Sequence, residues 1–159
     1  MVDLAANAAS RLPPGSSLRR RGIKLAFRSA WEGINRRDPE PASLLYESDA
    51  QVFLFGAEGL GLADRYSGAG GWTEFIGDVF ENFGQPRFTV RRVLEGGDRV
   101  AAEIALTATG KVSGFPVEGV VGVVYYLSSR GKIARQDVFW QHDSWTLALE
   151  AAGLKDSQR

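Results

Sequence analysis

From Arg87 to about His142 the chain reads as four strand-length segments separated by three glycine-bearing turns, Glu95-Gly96-Gly97-Asp98, Ser113-Gly114-Phe115-Pro116 and Arg130-Gly131. Such turns supply the backbone angles that fold a strand back on itself, so this half is predicted to be an antiparallel meander. Within it, Val117 to Leu127 is apolar at nearly every position, whereas a strand with one solvated face would alternate. Both faces are therefore expected to be covered, one by helices and the other by a further surface, for which a dimer partner is the natural candidate.

The first half carries a different period. Ser16 or Ser17 can cap a helix whose apolar residues Ile23, Phe27, Ala30, Trp31 and Ile34 share one face. Asn35-Arg36-Arg37-Asp38-Pro39 ends it, because proline disfavours a helical conformation in the residue before it. Glu40 to Tyr46 is predicted as a short second helix. Asp49 to Phe55 is predicted as a strand buried on both sides, with Val52 and Leu54 alternating with Phe53 and Phe55. A third helix follows from the broad apolar stripe Trp72, Phe75, Ile76, Val79, Phe80 and Phe83. Asp143 or Ser144 can cap a closing helix near Trp145, which Gly153 would end. Helices, a strand, a helix and then a meander argue an α+β fold: a curved, largely antiparallel sheet wrapped around about three helices, with a short C-terminal helix. Residues 16–154 are expected to form the single domain, with 1–15 and 155–159 as tails.

Several chemistries fall away on composition. With no cysteine among 159 residues, thiolate catalysis, disulfides and cysteine metal sites are excluded. One histidine leaves only carboxylates to complete a zinc shell, so no metal is expected. Gly59-Leu60-Gly61-Leu62-Ala63-Asp64 lacks the third glycine and the following helix of a dinucleotide cradle. No apolar run is long enough to span a membrane, and Met1 to Ala9 has no basic leader before an apolar core, so a cytoplasmic location is the expectation. Formal charge is zero overall, yet residues 1–37 hold 8 Lys/Arg against 2 Asp/Glu. The neutral total favours reading that basic helix as a solvated face that complements an acidic remainder, with no nucleic-acid or membrane partner expected.

The chemistry-bearing residues concentrate near the end. Counted along the last strand, Arg135, Asp137, Phe139 and Gln141 share one side, and Ala134, Gln136, Val138, Trp140 and His142 the other, more apolar side. A bulge would reverse that parity; without one, Asp137 pairs with Arg135 at a surface or interface. His142 is suited to carry protons near neutral pH, or serves structurally. Glu103 is either a second pocket carboxylate or an exposed sheet residue. Phe27, Trp31, Tyr46, Phe53, Phe55, Tyr66, Phe75 and Trp140, with Tyr125 and Tyr126, are candidates to line an apolar pocket with a few hydroxyl or indole donors.

In its order of pieces the chain from about Ser17 to Leu154 resembles the SnoaL-like branch of the nuclear transport factor 2-like superfamily. The matching pieces are Phe27 with Asn35-Arg36-Arg37-Asp38-Pro39-Glu40, Asp49-Ala50-Gln51-Val52-Phe53, Tyr66-Ser67-Gly68, Gly97-Asp98-Arg99-Val100, Gly131-Lys132-Ile133 and Ala148-Leu149-Glu150-Ala151-Ala152-Gly153-Leu154. The resemblance implies a cone-shaped half-barrel that takes a hydrophobic small molecule and pairs into a homodimer through its sheet. It also implies cofactor-independent acid-base chemistry in the enzymes of the group, which include ketosteroid isomerases, polyketide cyclases, epoxide hydrolases and dehydratases, alongside proteins that only bind. On that reading Asp137, on the last strand, or His142 would be the base of an isomerase, cyclase or hydrolase. The alternative is a non-catalytic ligand-binding or protein-interaction domain.

Overall fold

The structure, a computed structural model, describes residues 11–111 and 113–156. In chain order its elements are α1 (Ser17–Asn35), α2 (Glu40–Ser43), β1 (Tyr46–Phe55), β2 (Arg65–Tyr66), α3 (Gly71–Asn82), β3 (Phe83–Gly96), β4 (Arg99–Gly110), β5 (Pro116–Leu127), β6 (Ile133–Phe139) and α4 (Ser144–Ala152). The six strands form one curved, unclosed sheet in the order β2-β1-β6-β5-β4-β3. The predicted meander is β3 to β6, joined antiparallel throughout, while β1 runs parallel to β6 and makes the sheet mixed.

Two apolar layers hold the sheet. On the concave side, α1, α2 and α3 pack Phe27, Trp31, Ile34, Ala42, Trp72, Phe75 and Val79 against Val52, Leu54, Val100, Ile104, Val123 and Val138. On the convex side, Ala148, Leu149 and Ala152 of α4 cover Ala101 and Val124. The cover expected from a partner over the two-sided apolar strand β5 is thus supplied, over its centre, by the chain's own last helix. Gly122 permits that approach, since a Cβ there would stand 2.0 Å from the Ser144 carbonyl oxygen.

Local chemistry explains where elements begin and end. Ser16 caps α1 by accepting the Arg19 N–H at 3.2 Å. Gly153 ends α4 in the left-handed conformation at φ 67°. At the other end of α4 neither predicted cap acts: Asp143 makes no capping bond, and the Ser144 hydroxyl donates to the Val120 carbonyl at 3.1 Å instead, tying helix to sheet. The second helix stops at Ser43, short of the predicted Tyr46, because Leu45 and Tyr46 join the sheet; the Ile133 N–H donates to the Leu45 carbonyl at 2.8 Å. Strand β3 begins at Phe83, where the helical stripe was expected to continue, and β2, two residues long, carries no strand pattern of its own.

The N-terminal stretch is tied down from Leu12 onward. Arg19 and Glu95 form a buried ion pair at 2.9 Å, their side chains 7% and 3% exposed. Around it the Arg19 guanidinium also donates to the carbonyls of Leu12 and Gly97, and the Gly15 N–H donates to Glu95. A buried charge pair holds only with its remaining hydrogen bonds satisfied, and here the segment before α1 helps to satisfy them.

Candidate functional site

One row of residues crosses the concave face in register: Tyr66, Val52, Gln136, Tyr125, Val100 and Glu95, one from each strand. Its ends are occupied. Tyr66 donates to Asp78 at 2.6 Å and accepts from the Ala63 N–H at 3.0 Å, and Glu95 is held by Arg19. The middle carries the chemistry. Gln136, 1% exposed, accepts a hydrogen bond from the Tyr46 hydroxyl through Oε1, and its amide nitrogen has no hydrogen-bond partner among the described residues. Tyr46 stacks on Trp72 at 4.6 Å, and Tyr125 meets the edge of Phe27 at the same distance.

The electrostatics of this interior are those of neutral donors and acceptors. Burial pushes the Tyr46 phenol well above its ordinary value, reinforced by Tyr125 and partly offset by Trp72. Burial does the same to Tyr125, with Trp31 opposing. Of the buried polar or charged residues among those described, Arg19 is spent on Glu95, Glu103 and Asp137 are ion-paired on the convex face, and Ser144 bonds the sheet from α4. Gln136 is the one of these that offers the interior an unused polar group. Open space is small: an apolar crevice of about 40 Å³ between α1 and the sheet, lined by Ile23, Phe27, Val100 and Ile133, and a void of about 10 Å³ beside Tyr46, Trp72 and Tyr125.

Six of the eight predicted lining residues come together here: Phe27, Trp31, Tyr46, Tyr66, Phe75 and Trp140 all belong to the concave cluster. Trp140 stacks near Phe83 at 6.3 Å with its indole N–H buried and without a hydrogen-bond partner among the described residues. Phe53 and Phe55 do not join them. Val52 and Leu54 take the concave side of β1, so alternation turns both phenylalanines to the convex face, where Phe55 stacks on Phe139 at 5.1 Å.

The two predicted bases are also elsewhere. A bulge is present in β6, but at Ala134: Tyr126 pairs with Arg135 and Leu127 with Ile133, so the extra residue precedes Arg135 and leaves Asp137 convex. There Asp137 takes two hydrogen bonds from Arg135, at 2.7 and 3.1 Å, and one from the Tyr126 hydroxyl at 3.1 Å. The Arg135 guanidinium lies 4.3 Å from the Phe53 ring centroid, and Asp137 raises its pKa further. The Arg135 guanidinium and the Tyr126 hydroxyl thus engage both Asp137 carboxylate oxygens. His142 is exposed in the turn between β6 and α4. Glu103 is convex too, bonded to Arg92 at 2.9 and 3.0 Å.

The residue the candidate set lacked is Gln136. A polar side chain on the same side as Val138 and Trp140, in an otherwise apolar stripe, is the signal that marks it. Among the described residues no three or more His, Asp or Glu side chains are placed to hold a metal, and no helix is long and apolar enough to cross a membrane.

Comparison with known families and structures agrees with this architecture. The model of the SnoaL-like domain matches residues 27–136. No curated protein sequence matches. Among solved structures, TerC co-crystallised with polyporic acid is similar at TM-score 0.62 and 19% identity, covering 94% of this chain and 99% of that one. RV0760c from Mycobacterium tuberculosis, in complex with estradiol-17beta-hemisuccinate, is similar at TM-score 0.58 and 20% identity over 76% and 94%. IdmH from Streptomyces antibioticus, a putative polyketide cyclase, is similar at TM-score 0.58 and 21% identity over 78% and 95%. Likeness at these identities speaks to fold.

Proposed function

The chain belongs to the SnoaL-like domain family, and from that membership we propose that it binds a small, largely apolar molecule bearing a carbonyl or hydroxyl group between α1 and the sheet, holding it without proton transfer. The observation that carries this reading is Gln136: a buried carboxamide whose Oε1 is taken by Tyr46 while its N–H groups face no partner among the described residues. An amide N–H without a protein partner is available to donate to a ligand oxygen. Trp72, Phe27 and Tyr125 supply aromatic walls. The lack of an unpaired carboxylate in the cluster among the described residues favours a binder over an isomerase, cyclase or hydrolase based on Asp137 or His142.

Ligand-sized pockets are roughly 300–1,000 Å³, far more than the crevice of about 40 Å³, so the proposal requires α1 to shift outward as the ligand enters. A homodimer through the convex face is part of the same proposal, supported by Phe55, which is exposed on that face and stacked on Phe139.

Native mass spectrometry and tryptophan fluorescence, with estradiol and polyporic acid as probes, test the reading. Expected are a stoichiometric adduct with at least one probe and quenching that saturates, both lost in Gln136→Leu. Failure of both probes to bind at saturation, or undiminished binding by the variant, would overturn it.

A further inference from the structure

Strand β3 is an edge of the sheet, and part of that edge is already occupied by side-chain mimicry of a strand. The Asn35 carbonyl accepts the Phe88 N–H at 2.7 Å, and its amide donates to the Phe88 carbonyl at 2.8 Å. Main-chain groups of an antiparallel strand point alternately to one neighbour and the other. Counting from Phe88, the N–H and C=O of Val90 point away from β4; past the bulge between Val90 and Arg92, those of Val93 do as well.

These groups open onto a groove of about 610 Å³ whose far wall is α1. Arg20, Arg21, Lys24 and Arg28 line it from the helix, with Arg91 on the strand, and none has an ion pair among the described residues. Arg92 and Asp156, also at its wall, are bonded to each other, to Glu103 and to Trp145. Leu25, 64% exposed, stands among the cations. The helical stretch 20–28 is about 12 Å long and the strand stretch 90–94 about 13 Å, so both walls match four or five extended residues.

We propose that this groove docks an acidic segment of a partner protein, added to the outer edge of β3 as an extended strand with its carboxylates against α1. Five cations with no ion pair among the described residues set the charge of the occupant, and a main-chain edge with no strand partner among those residues sets its form. A nucleic acid or a membrane surface would use the charge and leave the edge unused.

The test is fluorescence anisotropy with a labelled alternating Glu-Val octapeptide, using the full chain. Expected is saturable binding that weakens at least about tenfold between about 0.05 and 0.5 M salt, with slowed amide exchange at Val90 and Val93. Arg20→Glu combined with Lys24→Glu and Arg28→Glu should weaken it at least about tenfold with an unchanged circular dichroism spectrum. Methylating the backbone nitrogens of the peptide should abolish binding. The idea is overturned if the octapeptide does not bind or the methylated one binds equally. Tighter binding of a single-stranded oligonucleotide or of phosphatidylserine vesicles would overturn it as well.

Discussion

Asn35, the last residue of α1, clasps Phe88 by both of its main-chain groups and so fixes the helix to the edge of the sheet. Replacing it with alanine removes two hydrogen bonds and leaves a buried residue's N–H and C=O without those partners. Asn35→Ala is expected to cost about 2 kcal/mol, read as a lower urea midpoint at unchanged slope. Asn35→Asp should be no better, since a carboxylate can accept the Phe88 N–H but repels its carbonyl.

The Tyr46–Gln136 pair invites a double-mutant cycle. Tyr46→Phe or Gln136→Leu alone leaves the other partner's polar atom buried without this bond, and each should cost about 1–2 kcal/mol. The double variant replaces both by apolar groups of similar shape and should lie within about 0.5 kcal/mol of the less harmful single one. Additive losses in chemical denaturation would show that the two side chains do not act together.

All four tyrosines are displaced in the same direction, Tyr46, Tyr125 and Tyr126 upward chiefly by burial and Tyr66 to about 12, again chiefly by burial and then by its bond to Asp78. A phenol whose folded pKa lies above its unfolded value of about 10 keeps its proton longer in the native state. Stability from these groups is therefore complete below pH ~10 and lost as pH rises towards the folded values. Ultraviolet titration of the native protein should show little phenolate at pH ~10, where the urea-unfolded chain is half ionised. A native protein that titrated one or more tyrosines near 10 would contradict these displacements.

Gly122→Ala should loosen α4. The new methyl would meet the Ser144 carbonyl oxygen at 2.0 Å and its carbon at 2.6 Å, a backbone clash that no rotamer relieves. The expected loss is about 3 kcal/mol, seen as a drop in Tm of about 6 °C or more, together with faster amide exchange along Ser144–Ala152.

Much of this architecture is legible in residue order. Three glycine turns specify the meander, and apolar periods of three and four specify α1 and α3, because those signals are local and need no partner. What escaped depends on neighbours distant in sequence. Tyr46 looks helical until Ile133 draws Leu45 and Tyr46 into the sheet. Phe53 and Phe55 are as apolar as Val52 and Leu54, and only the position of the helices decides which pair is interior. Asp137 depended on a bulge, and one exists, but a single residue's placement at Ala134 reverses the conclusion drawn from it. The value of Gln136 follows from finding Tyr46 opposite it, 90 residues away along the chain.

The position of β6 between β1 and β5 also orders events during synthesis. Until residues 133–139 have left the ribosome, β1 with β2 and β3 through β5 are two separate pieces of sheet, each with an open edge where β6 will lie. A nascent chain stalled before Ile133 would expose both edges and the apolar rows beside them, which makes it a client for holding chaperones and a hazard for misassociation. Emergence of one seven-residue strand closes both edges at once, so the sheet becomes continuous in a single late step.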